Sequence, residues 1–324
     1  SVPFTAVTTS PGARSVSDAA DCGVTLPMTG DDELKPGKAR YVVLCDQGGG
    51  IVNDPVLLRI AEDEFWFSIS DSDVLLWFKG LNQGFGYDVA LEEIDVSPVQ
   101  VQGPLARELM RDLAGEAIDA LKFYNLMETE IAGCSVVVSR TGFSAEIGYE
   151  IYLRDATYHA DALWDAIVEA GRPYHLKVVA PGHIRRIEAG ILSYGQDMDQ
   201  ETNPYEVGLG WQVHLDKQDF IGRDALIKRK ENPQRKLVGL ELKGEEIASN
   251  GDCIHVGRQQ VGTVTSATRS PILKKNIALS RIAVEYAESG TEVEVGKLDG
   301  HQKRLPATIV PISFYDPEKK RPRS

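Results

Sequence analysis

Cysteine is scarce: Cys22, Cys45, Cys134 and Cys253 are the only four in 324 residues, and they stand far apart. No CxxC pair occurs and the six histidines are scattered, so no segment has the ligand spacing of a zinc or iron–sulfur site. Isolated thiols of this kind suit a reducing compartment, and the expected localisation is cytoplasmic. Positive charge is also short. The 35 Lys and Arg against 48 Asp and Glu leave a net charge of −13, which argues against a nucleic-acid partner. No apolar run approaches the roughly 20 residues that a membrane helix needs. The opening "SVPFTAVTTSPGARSVSDAADCG" lacks a basic stretch followed by an apolar core, so it does not read as a signal peptide. Its low hydrophobicity marks residues 1–27 as a poorly ordered or remnant N-terminal segment. Missing too are GxGxxG after a strand, a phosphate-binding GxxxxGKS/T loop, a GxSxG elbow and any repeat of 20–50 residues. The common nucleotide-binding and serine-hydrolase chemistries therefore have no carrier.

What is present is 42 % hydrophobic residues, enough for more than one core in a chain of this length. The stretch "RYVVLCD" reads as an apolar strand with "QGGG" as its turn, and "VLLRI" and "EFWFSIS" flank "AED" as a hairpin. "DSDVLLWFKGLNQGF", "PLARELMRDLAG", "HADALWDAIVEAG" and "GHIRRIEAGIL" carry apolar residues at helical spacing. The last of these sets Ile184, Ile187, Ile191 and Leu192 on one stripe. Beyond about residue 235 short strands such as "KLVGLELKG" and "TEVEVGK" alternate with Gly, Asp and Ser, as in an antiparallel barrel or sandwich. The tail "DPEKKRPRS" reads as loose. The division expected is 28–235 as an α+β region of two lobes and 236–324 as a β-barrel.

A few residues invite chemistry. In "GGGIVNDPVLL", Asp54 is either the hydrogen-bonding residue of an Asn-Asp-Pro bend or a carboxylate held beside a ligand. Its apolar flanks make an ionised carboxylate costly unless a donor is supplied. In "GYEIYL", strand alternation sends Tyr149, Ile151 and Leu153 to one face and Glu150 and Tyr152 to the other. Glu150 is then either solvent-facing or an acceptor for two parallel N–H donors, such as those of a 2-amino-4-oxo pterin ring. Asp71, near Asp73, suits a helix N-cap or a ligand contact. Tyr194 is either a core tyrosine or a phenol that orients a substrate. Lys274 and Lys275 read as a solvated turn.

Several segments, in order, resemble the glycine cleavage T-protein (aminomethyltransferase) superfamily. They are "GKARYVVLCDQGGGIVNDP", "VQGP", "RTGFSAEIGYEIY", "RRIEAGILSYGQDMDQETNPYEVGLGW", "FIGRDAL" and "GTVTSATRSPILKKNIAL". The segments "DEFWFSISDSDVLLWFKGL", "DVSPVQVQGP" and "ILSYGQDM" are most similar to dimethylsulfoniopropionate demethylase-like methyltransferases. The resemblance implies a three-lobed fold around a central channel, two lobes α+β and the third a C-terminal antiparallel β-barrel. It implies tetrahydrofolate as cofactor and a methylated small molecule as partner. It places Asp54 and Tyr194 at the catalytic centre, Asp54 near the reactive N5 edge of the folate. It gives cofactor-binding roles to Glu150 (on the pterin), Phe143 and Tyr315, and Asp71 joins them as a candidate cofactor contact from its own position at a helix start. Phe143, Tyr194 and Trp66 would pack against the methyl groups of a cationic donor. The activity implied is methyl transfer from a sulfonium or related molecule to N5. The alternatives are transfer at the methylene level, as an aminomethyltransferase makes, or folate binding without catalysis. For the last, the family's KGCYxGQE-type motif is absent. Two departures stand out: "GFSAE" where the family has GYTGE, and Gly182 where it has an arginine.

Overall fold

The computed structural model describes residues 34–69, 74–144, 146–180, 182–217, 219–300 and 303–324, and it describes strand Val2–Thr8 by its backbone alone. Two antiparallel sheets stand back to back. The first runs in the order Lys38–Tyr41, Val56–Arg59, Glu64–Ile69, Val2–Thr8, Val89–Glu93. The second runs Val96–Gln102, Gly148–Arg154, Cys134–Ser139, Leu126–Ile131. On the outer face of the first, helix Val74–Phe85 buries Val74 and Phe78 against Phe65 and Phe67. On the outer face of the second, helices Ala106–Ala114 and Ala156–Gly171 cover Val136, Val138, Tyr149 and Ile151.

Between the sheets lie Leu58 and Trp66 from one and Val137 and Tyr152 from the other. The rings of Trp66 and Tyr152 meet edge to face at 6.4 Å. Strand Gly148–Arg154 is therefore covered on both faces, and the alternation of apolar and polar residues read from its sequence separates two interiors, not core from solvent. Six antiparallel strands between Arg235 and Val310 close the C-terminal barrel around Leu240, Ile254, Ala278 and Val295.

The stretch "RYVVLCD" is not one strand. Lys38–Tyr41 pairs with Val56–Arg59 in the first sheet, while Leu44–Cys45 pairs with Ile51–Asn53 in a separate hairpin. Asp46 builds that hairpin's turn: its Oδ1 accepts the N–H groups of Gly48 at 2.8 Å and Gly50 at 2.9 Å. Glycine is required at position 50, because a Cβ there would lie 1.9 Å from the Gln200 carbonyl oxygen. The close approach lets Ile51 N–H bond Thr202 O at 2.9 Å, which fixes the strand that leads directly into Asp54.

Two further expectations are corrected. The helix of "GHIRRIEAGIL" spans only His183–Ala189, with Gly190 in the left-handed conformation, so Ile191 and Leu192 lie beyond it and Ile184 is exposed. The tail is pinned rather than loose. Arg140, itself buried, donates to the carbonyls of Pro322 at 3.0 Å and Ser324 at 2.7 Å, and Arg321 pairs with Glu146 at 2.7 Å. Charged composition alone carries no information about such distant partners.

Candidate functional site

A cavity of about 1150 Å³ opens where the two sheets, the loop around residues 189–212 and the C-terminal segment converge. Asp54, Phe143, Glu150, Tyr194 and Tyr315 all line it. Asp71 falls outside the described residues. Trp66 does not line the cavity. It is 1 % exposed, donates through Nε1 to Glu64 at 2.8 Å and carries the Arg154 guanidinium 4.7 Å above its ring. Its expected contact with a donor is therefore corrected to a structural role between the sheets.

Glu150 reaches the cavity from the middle of its strand and is 8 % exposed. Gln100 Nε2 donates to its Oε1 at 2.6 Å, and Tyr152 Oη donates to Oε2 at 3.3 Å. Thr141 Oγ1 makes a short bond to the same Oε2. Burial raises its carboxyl pKa, and these three donors oppose the rise without cancelling it.

Asp54 is held differently. Its Oδ2 accepts a hydrogen bond from Tyr41 Oη at 2.7 Å, and its own N–H bonds Asn53 Oδ1 at 2.9 Å. Burial pushes its carboxyl up to about 7; the Tyr41 bond and the pull of Asp54's own backbone N–H on its carboxylate bring it down, and the charge of Asp197 pushes it further up. At that value the group holds or releases a proton at neutral pH, the range a proton carrier needs. Tyr194 packs with Leu192, Val207 and Leu209 to form one wall. Burial, then Asp199 and then Asp54 raise its phenol, which sets it within the electrostatic reach of Asp54.

Tyr315 lies between two guanidinium groups, Arg185 at 5.7 Å and Arg321 at 5.6 Å from its ring. Both arginines are paired with Glu146. Where the family pattern has an arginine, Gly182 precedes the helix. Lys35, Lys38, Lys319 and Arg323 supply cations to the cavity lining instead.

The residues that sequence reading missed are those set by tertiary packing. Tyr41, Tyr124, Gln100 and Thr141 line the cavity; Tyr41 hydrogen-bonds Asp54, Gln100 and Thr141 hydrogen-bond Glu150, and burial and then the charge of Glu150 raise the phenol of Tyr124. Gln102, in the "VQGP" segment, threads between two glycines: a Cβ at Gly142 or Gly148 would lie 2.1 Å or 2.2 Å from its amide. Ser144 Oγ bonds Gln102 Oε1 at 2.7 Å, so this one side chain fixes the loop that carries Thr141 and Phe143.

Residues 18–217 match the GCVT N-terminal domain, and residues 235–316 match the glycine cleavage T-protein C-terminal barrel domain. The chain belongs to the glycine cleavage T-protein family, whose enzymes are tetrahydrofolate-dependent one-carbon transferases. It is 44 % identical over 306 residues to trimethylamine-oxide aldolase of Ruegeria pomeroyi, covering 90 % of this chain but only 38 % of that protein. It is 36 % identical over 290 residues to aminomethyltransferase of Thermotoga maritima, covering 87 % of this chain and 77 % of the relative. Dimethylsulfoniopropionate demethylase DmdA of Ruegeria pomeroyi is 36 % identical over 272 residues, covering 83 % of this chain and 74 % of that protein. The fold matches aminomethyltransferase T of Bartonella henselae with a TM-score of 0.81 at 23 % identity, over 97 % of this chain and 84 % of that one. Among the described residues no helix is long and apolar enough to cross a membrane.

Proposed function

We propose that this chain transfers a one-carbon unit from a methylated, positively charged small molecule to N5 of tetrahydrofolate. The observation that carries the reading is one cavity holding two carboxylates in unlike settings, the buried Glu150 met by three protein donors and the half-buried Asp54 by one phenol. A volume of about 1150 Å³ accommodates a folate together with a small donor. Glu150 is fixed in place by its neighbours, as a carboxylate must be to receive two ligand N–H groups in register. The cations of the lining suit the anionic glutamyl end, in a chain that is otherwise strongly acidic.

Bound tetrahydrofolate supplies N5 as the acceptor of the one-carbon unit. The chain's own residues do the rest. Asp54 places negative charge or a proton acceptor where positive charge is carried, at a site shielded from water. Tyr41 sets its orientation through the 2.7 Å hydrogen bond. Tyr194 closes the wall beside it. With a sulfonium donor the leaving group is a neutral thioether, which needs no general acid, so positioning and desolvation dominate.

A second reading is transfer at the methylene level from an amine N-oxide, which carries its own oxidising equivalent and releases a secondary amine, or from an aminomethyl donor already at that level. The carboxyl of Asp54, held near 7, favours it, because cleavage of an amine exchanges a proton. So does the identity to a trimethylamine-oxide aldolase and to aminomethyltransferases.

The test is incubation with tetrahydrofolate and a panel comprising dimethylsulfoniopropionate, dimethylglycine and trimethylamine N-oxide. Mass spectrometry then distinguishes 5-methyl- from 5,10-methylenetetrahydrofolate. Formation of either supports one-carbon transfer and says which level operates. Silence across the panel with folate bound would turn the reading into a folate-binding protein. Full activity of Asp54→Asn, with unchanged folate affinity, would remove Asp54 from the mechanism.

A further inference from the structure

Gln212 presents a polar group that the protein does not satisfy. It is 1 % exposed, and among the described residues neither its Nε2 nor its Oε1 has a hydrogen-bond partner. Its position is fixed: it ends the tight turn Gly210–Gln212, where its N–H bonds Leu209 O at 2.9 Å and Val213 N–H bonds Gly210 O at 3.1 Å. The turn is packed closely, since a Cβ on Gly210 would lie 2.6 Å from the ring of Tyr205. Gln212 lines the cavity beside Leu209, on the wall that Leu192 and Tyr194 also build. A primary amide buried with both ends unpaired is costly, and native proteins rarely carry one without a use.

We infer that Gln212 is a ligand-binding residue whose amide makes a two-point contact, donating from Nε2 and accepting at Oε1, with a molecule seated in the cavity. The complementary chemistry is an N–H group adjacent to an oxygen acceptor. Two sources carry it: the amide and lactam edges of a folate, and a protonated N-methylated amino acid with its carboxylate. A quaternary ammonium or a sulfonium would leave Oε1 unpaired. If the donor is the source, Gln212 selects protonated amines over fully alkylated cations. The inference rests on the folate-dependent one-carbon reading for the identity of these ligands.

The experiment compares wild type with Gln212→Met, which keeps the side-chain length and removes both polar ends. Tyr205→Phe serves as control, because the Tyr205 phenol is also unpaired but does not line the cavity. Tetrahydrofolate affinity is measured by calorimetry, and KM for dimethylglycine and dimethylsulfoniopropionate by product formation. The expected result for Gln212→Met is an unliganded Tm equal to or above wild type, with a loss of roughly tenfold or more in affinity for one ligand. Loss for tetrahydrofolate names the folate as the source. A raised KM for dimethylglycine alone names the donor. A merely structural amide gives the opposite signs, a lowered Tm with ligand affinities preserved, and that result overturns the inference. So does an affinity within twofold of wild type for every ligand. Gln212→Glu, which keeps an acceptor and loses the amide N–H donor, repeats the binding arms if the methionine variant fails to fold. Binding of nothing by wild type would overturn the folate reading and this inference together, whereas equal binding by wild type and variant overturns the inference alone.

Discussion

Glu150 and Asp54 face one cavity from two regions of the chain, and their surroundings differ in how many donors the protein provides. Glu150 sits in the middle of a central strand, with Gln100, Thr141 and Tyr152 already bonded to its two oxygens. Asp54 sits between two short strands, with Tyr41 as its side-chain donor. A carboxylate wrapped by donors has little freedom to move and serves recognition. One with a single donor, half-buried at the cavity wall, changes its charge more easily and suits chemistry. On the proposed reading, the same scaffold separates holding from reacting by the number of hydrogen bonds it spends on each carboxylate.

The largest effect that would break this contrast is on turnover. Asp54→Asn is expected to lower kcat by about 10²–10³, the usual scale for losing an electrostatic stabiliser, with tetrahydrofolate affinity within a few-fold of wild type. Glu150→Gln is expected to do the reverse. Its tetrahydrofolate affinity falls by roughly ten- to a hundredfold, the scale of a lost charge-assisted hydrogen bond, while kcat at saturation changes far less. Single-turnover kinetics with calorimetry separates the two. Matching defects in the two variants would erase the distinction.

A medium-sized effect concerns pH. The folded-state carboxyl of Asp54 is raised from 3.8 to about 7, so between those values the folded chain keeps a proton that the unfolded chain has released. Stability then falls as pH rises through that window. Asp54→Asn should flatten the decline in Tm between pH 5 and pH 7.5. Glu150, also raised, contributes in the same direction and leaves a residual slope. Tyr41→Phe removes a bond that lowers the Asp54 value, so the corresponding limb of its pH–rate profile should move to higher pH. A profile that stays in place would mean Tyr41 does not tune Asp54.

The smallest effect lies at the rim. Arg321→Ala removes an exposed ion pair with Glu146 and one of the two guanidinium contacts to Tyr315. Glu146 keeps Arg185 at 2.5 Å, so thermal denaturation should show a loss of only about 0–1 kcal/mol. A larger loss would make the pinned C-terminal segment part of the fold's main stability.

Much of this architecture was legible in the chain. The amphipathic "PLARELMRDLAG" became the helix Ala106–Ala114, stopped by Gly115 as its composition suggests. Glu150 and Tyr152 do point away from Tyr149 and Ile151, because strand alternation is a local property. Which side is solvent is not local. Glu150 was read as facing either water or a ligand, and only the first sheet, packed over the face it shares with Tyr152, decides that it faces an interior. Trp66 illustrates the same limit. An aromatic side chain suits packing against a cationic donor, yet its partners Tyr152 and Arg154 lie more than 80 residues further along the chain. Gln212 left no trace in periodicity or motif, since what marks it is the absence of a partner in three dimensions.

The threading of Gln102 between Gly142 and Gly148 makes three distant positions behave as a single mutational unit. A methyl group added to either glycine meets the amide head-on, so variation in the loop is gated by what stands at position 102. In a combinatorial library, alanine at Gly142 or Gly148 should survive where the Gln102 amide swings aside, giving up its bond to Ser144, or where residue 102 is shortened. Remodelling of the cavity through this loop therefore also moves a side chain outside it, in the strand that supplies Gln102.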